Sequence, residues 1–125
     1  MSLTIVIGTR MGGGSKIKDG AEKAFKDAGV DGKVIVIPGM AADMKLGMTM
    51  KQNNADLGIS QCGSGGAGAI TASTLLGWKQ KSQLDSAEAA AQAVHEGYRL
   101  IGMRFNDTEE VGYKITEALI KESGK

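Results

Sequence analysis

Short apolar runs alternate along this chain with longer segments of helical period. Leu3–Gly8 (LTIVIG) is rich in β-branched residues and ends in glycine, which predicts a buried strand. Ser15–Ala28 follows, with Ile17, Ala21, Ala24, Phe25 and Ala28 on one face. Ser15 is its expected N-cap and Gly29 its stop. Lys33–Ile37 (KVIVI) predicts a second strand, ended by Pro38-Gly39. Ala41–Asn53 reads as a helix, which Gly47 weakens by about 1 kcal/mol relative to alanine. Leu57–Ser60 (LGIS) predicts a third strand, and Gly66–Leu76 a helix entered from a glycine-rich loop. Trp78–Gln80 is the expected fourth strand. Asp85 or Ser86 caps a helix that runs to His95 and is stopped by Gly97. Arg99–Met103 (RLIGM) predicts a fifth strand, and Asp107 caps a last helix over Thr108–Lys121.

Strict alternation of strand and helix implies a parallel sheet covered on both faces. With right-handed crossovers this becomes one three-layer α/β domain over residues 1–125, a doubly wound, Rossmann- or flavodoxin-like five-stranded sheet. The expected strand order is 2-1-3-4-5. Ligands in such sheets sit beyond the carboxyl ends of the strands, where the order reverses. Here that place lies between strands one and three. The loops leaving those strands, Thr9–Ser15 and Gln61–Gly66, are also the two glycine clusters.

Composition narrows the function classes. The chain has 125 residues, 42% hydrophobic and 23% charged, as a folded globular domain does. Its net charge of +1 gives no general affinity for nucleic acid or anionic membrane. One cysteine excludes an internal disulfide framework and a multi-cysteine metal site, and no cofactor is expected. No apolar run approaches the roughly 20 residues that span a bilayer. The opening MSLTIVIGTR lacks the pattern of a signal peptide, so a cytoplasmic location is the expectation. Glycine is the outlier, with 19 residues, about twice the usual share.

The first loop reads Thr9-Arg10-Met11-Gly12-Gly13-Gly14-Ser15. Its glycines leave N–H groups bare just before a helix N-terminus, where anions are favoured. Arg10 can add a bidentate clamp for phosphate or carboxylate. The plainer alternative is a flexible turn with a surface arginine. The second loop reads Cys62-Gly63-Ser64-Gly65-Gly66-Ala67-Gly68. The amides of Gly63, Ser64, Gly65 and Gly66 can line a nest for an anion or oxyanion. Cys62 then stands near a helix N-terminus, where thiolate is favoured. A thiolate beside such a nest suits proton abstraction next to a carbonyl, or nucleophilic attack. The alternative is a buried structural cysteine followed by a glycine turn.

Two resemblances attach to these residues. The string SQCGSGGAG, with GMAADMKLG and IGTRMGGGSK upstream, resembles the glycine-rich SFCGS family over nearly the whole chain. Gln61 stands where that family usually has phenylalanine. Genes of this family often neighbour predicted membrane proteins and enzymes of amino-sugar-acid breakdown. The resemblance therefore implies a role in uptake or catabolism, with a membrane-protein partner of a transport system. More distantly, Ala55–Ala72 (ADLGISQCGSGGAGAITA) resembles the CGTG-loop segment of type B ribose-5-phosphate isomerases and galactose-6-phosphate isomerase subunits. In those enzymes the loop cysteine moves a proton between C1 and C2, and the following amides stabilise the enediolate. That resemblance implies Cys62 as base and Gly63, Ser64, Gly65 and Gly66 as the anion-stabilising loop. It also implies assembly at least as a dimer. Arg10 and Met11 stand where those isomerases typically have an Asp-His pair, and Lys81–Leu84 has no counterpart of their ring-opening histidine.

Other residues invite two readings each. His95 caps a helix end or acts in catalysis. Met40, Met44 and Met48 recur every fourth residue, with Met50 close by, as adaptable core or as a subunit or membrane-partner interface. Asp43 caps the second helix or meets a ligand hydroxyl. Trp78 covers core or a dimer contact. Two functions compete. In one, the chain binds a small anionic metabolite, a sugar phosphate or sugar acid, through Arg10, Gly12, Gly13, Asp43, Gly63, Gly65 and Gly66, as accessory to a transport or catabolic system. In the other it is a sugar-phosphate isomerase-like enzyme with Cys62 and Ser64 as catalytic residues. In both it is expected to be a homo-oligomer.

Overall fold

A computed structural model describes residues 2–9, 13–39, 42–62, 65–104 and 106–124. Strands and helices alternate throughout: β1 Ser2–Thr9, α1 Ser15–Ala28, β2 Asp31–Pro38, α2 Ala42–Asn53, β3 Leu57–Gln61, α3 Ala67–Leu76, β4 Gln80–Leu84, α4 Ala87–His95, β5 Leu100–Met103 and α5 Glu109–Ser123. All strand pairs are parallel. Residues alternate between the faces of each strand. Ile5, Ile7, Leu57, Ile59, Ile101 and Met103 pack against α1, α4 and α5. Val6 and Leu100 pack with Leu46 and Met50 of α2 and Ala69 and Ala72 of α3 on the other face. This is the expected three-layer α/β fold. Among the described residues no helix is long and apolar enough to cross a membrane.

The strand order is 2-1-3-5-4, which corrects the expected 2-1-3-4-5. Burial explains it. Every residue of β5 is buried, as a strand covered on both faces and paired on both edges must be. In β4, Gln80-Lys81-Ser82-Gln83-Leu84, half-buried and exposed residues alternate. Such a strand belongs at the edge, where an outward lysine also discourages pairing with other chains. The fourth strand begins at Gln80, later than the expected Trp78–Gln80, because a polar edge strand leaves no apolar run to find. A bulge between Lys81 and Leu84 interrupts its pairing, and Gln83 there adopts φ 62°.

Two caps also differ. Gly14, at φ 89°, is the N-cap of α1, and Ser15 is its first helical residue. Asp107 caps α1 from outside, its Oδ1 accepting from Ile17 N–H at 3.1 Å. Thr108 caps α5 instead, accepting from Val111 N–H at 3.3 Å. Ser86 caps α4 as expected, and Gly29 closes α1 in the left-handed conformation. Helices α1 and α5 cross at two glycines. A β-carbon on Gly20 would overlap the Glu109 carbonyl, and one on Gly112 the Ile17 carbonyl.

Candidate functional site

The ends of β1 and β3 are neighbours, Thr9 beside Gln61, and from there the chain departs to opposite faces. The β1–α1 connection leads to the face of α5, the β3–α3 connection to the face of α2. In open sheets of this kind the ligand crevice lies between two such connections. Of the residues expected to line it, Arg10, Gly12, Gly63 and Ser64 lie outside the described residues, as does Met40. Gly13 is exposed, with φ 82°.

Cys62 follows β3 directly and is buried. Its N–H donates to the Met103 carbonyl at 3.2 Å, so the sulfur is positioned by the sheet itself. The Gly66 N–H donates to Cys62 Sγ at 3.3 Å. The Gly65 N–H donates to the Cys62 carbonyl at 3.1 Å. The expected nest of four open amides is thus corrected at its last two members, which turn inward onto Cys62. The cause is a tight turn that only glycine can make, with φ 96° at Gly65 and 98° at Gly66. The turn is pinned from the far edge of the sheet. Gln83, on the β4 bulge, donates its N–H to the Gly65 carbonyl at 2.7 Å. A cavity of about 230 Å³ lies behind this turn, lined by Gly65, Gly66, Ala67, Ile70, Ser82 and Gln83.

The N-cap of α3 is Gly66, which has no side chain to cap it. A carboxylate stands near both helix starts, Asp107 at α1 and Asp43 beside Gly68 in the first turn of α3. Asp43 lies in the first turn of α2, half-buried. A β-carbon on Gly68 would stand 2.6 Å from Ser60 Oγ and 3.1 Å from Asp43 Oδ1, so the starts of α2 and α3 close over the Ser60 hydroxyl. That hydroxyl is buried and has no partner among the described residues.

In the sequence Gln61 stands out as a departure from a signature. It is fully buried. Its Oε1 accepts from Asn106 N–H at 3.0 Å, and its Nε2 has no partner among the described residues. The available signal was two polar residues, Ser60-Gln61, closing an otherwise apolar strand. Every residue of that strand is buried.

Residues 3–122 match the family described as glycine-rich SFCGS. The chain belongs to that family. The description spells Ser-Phe-Cys-Gly-Ser, where this chain has Ser60-Gln61-Cys62-Gly63-Ser64. No curated protein matches it. The fold resembles that of Trypanosoma brucei type B ribose 5-phosphate isomerase, with a TM-score of 0.66 at 19% identity. The match covers 97% of this chain and 87% of that one.

The remaining candidates of this SFCGS protein stand elsewhere. His95 ends α4, at the opposite end of the sheet from the crevice, and its Nδ1 lies 2.9 Å from Glu122 Oε2 on α5. Trp78 lines a cavity of about 290 Å³ with Lys79, Gly97 and Arg99, also at the amino ends of β4 and β5. The methionine stripe divides. Met50 is core against Gly58, whereas Met44 and Met48 are 75% and 55% exposed. With Ile70, Thr71, Thr74 and Leu75 they line a groove of about 660 Å³ between α2 and α3. Among the described residues no three His, Cys, Asp or Glu side chains gather as a metal site would require.

Proposed function

We propose that this protein binds a small anionic metabolite, a sugar phosphate or sugar acid, in the crevice where β1 and β3 diverge. The observation that carries the reading is the start of α3. The glycine turn sets it at the carboxyl end of β3, its N-cap Gly66 has no side chain to occupy the helix end, and Cys62 Sγ receives the Gly66 amide at 3.3 Å. A helix N-terminus favours a negative charge. The α1 N-terminus is a poorer candidate, because Asp107 already takes its Ile17 amide. Ligand contacts are assigned to Arg10, Gly12, Gly13, Gly63 and Ser64, with Asp43 facing a ligand hydroxyl. Gly65 and Gly66 act as the frame of the turn, since their amides are spent on Cys62.

A cytoplasmic accessory of a transport or catabolic system fits this chemistry, and the α2–α3 groove is where a second copy of the chain is proposed to sit. The test is calorimetry with ribose 5-phosphate, gluconate and inorganic phosphate. The expected result is saturable binding of at least one probe by the native protein and none by Gly65→Val. Absence of binding by all three would overturn the reading.

Position favours a second reading, an isomerase-like enzyme. Cys62 lies at the crevice end of β3, with an amide on its sulfur. Sulfur accepts a hydrogen bond far better as thiolate than as thiol, and a thiolate there can take a proton next to a carbonyl. Incubation with ribose 5-phosphate in deuterium oxide tests it. Deuterium at C2 of the recovered sugar, lost in Cys62→Ser, is the expected signature. No exchange by native protein that binds the sugar would leave binding alone.

A further inference from the structure

We propose that Gln61 reads the ligand, donating from its side-chain amide to an oxygen of the anion bound between β1 and β3. This rests on the binding reading above and assigns to that site a residue of this chain's own. The orientation of the carboxamide is fixed by chemistry. A backbone N–H can only donate, so the atom facing Asn106 N at 3.0 Å is the oxygen. The two amide protons are therefore at the other end, and Nε2 meets no acceptor among the described residues.

A buried donor without an acceptor is costly, and native proteins rarely keep one without a use. The position makes the cost conspicuous. The family description carries phenylalanine in this place, and a phenyl ring would fill it with no polar group to satisfy. Gln61 also stands at the strand end beyond which ligands of such sheets bind. It is the last residue of β3, its neighbours across the ladder are Thr9 on β1 and Met103 on β5, and it sits where the strand order reverses.

Ser60, the other orphan at this strand end, does not compete for the role. Its hydroxyl is pressed under Gly68 between α2 and α3. Gln61 carries no charge, so it selects for an oxygen in the body of the ligand and leaves the anionic group to the α3 N-terminus. A site built to bond an oxygen rejects analogues that lack it.

The test uses the full-length protein, labelled with nitrogen-15, and ribose 5-phosphate, gluconate and inorganic phosphate as probes. The side-chain amide signal of Gln61 is assigned by its absence from Gln61→Met. It should shift on saturation with whichever sugar-bearing probe binds. Gln61→Met and Gln61→Glu should weaken that probe at least tenfold and leave inorganic phosphate within twofold. Gln61→Phe, the residue the family description carries here, covers a folding failure of the methionine variant, which the buried carboxyl of Gln61→Glu cannot.

Three outcomes separate the claims. If the backbone signals of Gly65 and Gly66 move while the Gln61 side chain does not, the binding reading stands and this inference falls. Unchanged sugar affinity in both variants, with Gly65→Val still abolishing binding, has the same meaning. If native protein binds none of the probes, the binding reading falls and takes this inference with it.

Discussion

At the scale of single residues, Gly65 and Gly66 leave no room for a side chain. Gly66 has φ 98°, and a β-carbon there would overlap the backbone of Gly102 on β5. Gly66→Ala should therefore lose stability by about 2 kcal/mol or more, from left-handed backbone strain and overpacking together. Urea unfolding measures it. Gly65 is as constrained, since its β-carbon would meet Gln83 Cα at 2.9 Å. Cys62→Ser should be mild, because serine is nearly isosteric and its oxygen can still accept the Gly66 amide. Its unfolding midpoint should stay close to native, while deuterium exchange into ribose 5-phosphate, if the native protein catalyses it, should vanish. A retained exchange rate would remove Cys62 from the chemistry. The glycine cluster was legible in the sequence because glycine advertises unusual backbone. The direction of its amides was not, because the pin comes from Gln83, and a bulge with φ 62° leaves no local signature on a glutamine.

At the scale of elements, two glycines set how closely α1 and α5 approach. Each faces a carbonyl of the other helix, Gly20 toward Glu109 and Gly112 toward Ile17. Gly112→Ala would gain about 1 kcal/mol in helix propensity and lose more by forcing the helices apart. A net destabilisation of about 1–3 kcal/mol is expected, and an unchanged or raised denaturation midpoint would show that the helices separate freely. The separation would reach the site, because α1 is anchored to the β5–α5 connection by Ile17 N–H and Asp107. On the outer surface Lys114 donates to Glu88 at 2.8 Å, tying α5 to α4 and holding that carboxyl below its ordinary range. Element type was readable from period, and Ser15–Ala28 was delimited to the residue by its pattern and by Gly29. Strand order was not read correctly, although burial contained the answer. RLIGM is apolar enough to be central and QKSQL is not. The exchange of cap duties between Asp107 and Thr108 was beyond reach, because it requires knowing that α1 and α5 are neighbours.

At the scale of the molecule, one surface is out of keeping with the rest. Helix α3, AGAITASTLL, has no charged residue on any side, although Ile70 and Leu75 are 53% and 49% exposed. A helix that faces water normally carries charge on its outer side. The groove it forms with Met44 and Met48 of α2 is likewise lined without charge. Such a face can meet its own copy across a two-fold axis without opposing like charges, which a charged face cannot. The groove alone falls short of the roughly 800 Å² that each partner commonly buries, so the interface must extend beyond it along both helices. Ile70 also lines the cavity behind the glycine turn, so a second copy seated there would bear on the support of the site. A dimer or larger assembly is expected by light scattering at micromolar concentration. Met48→Glu should convert it to monomer with little change in the fold, because the side chain is 55% exposed and makes no core contact. Monomeric native protein would reject the interface, and a Met48→Glu variant that stays assembled would place it elsewhere on the surface.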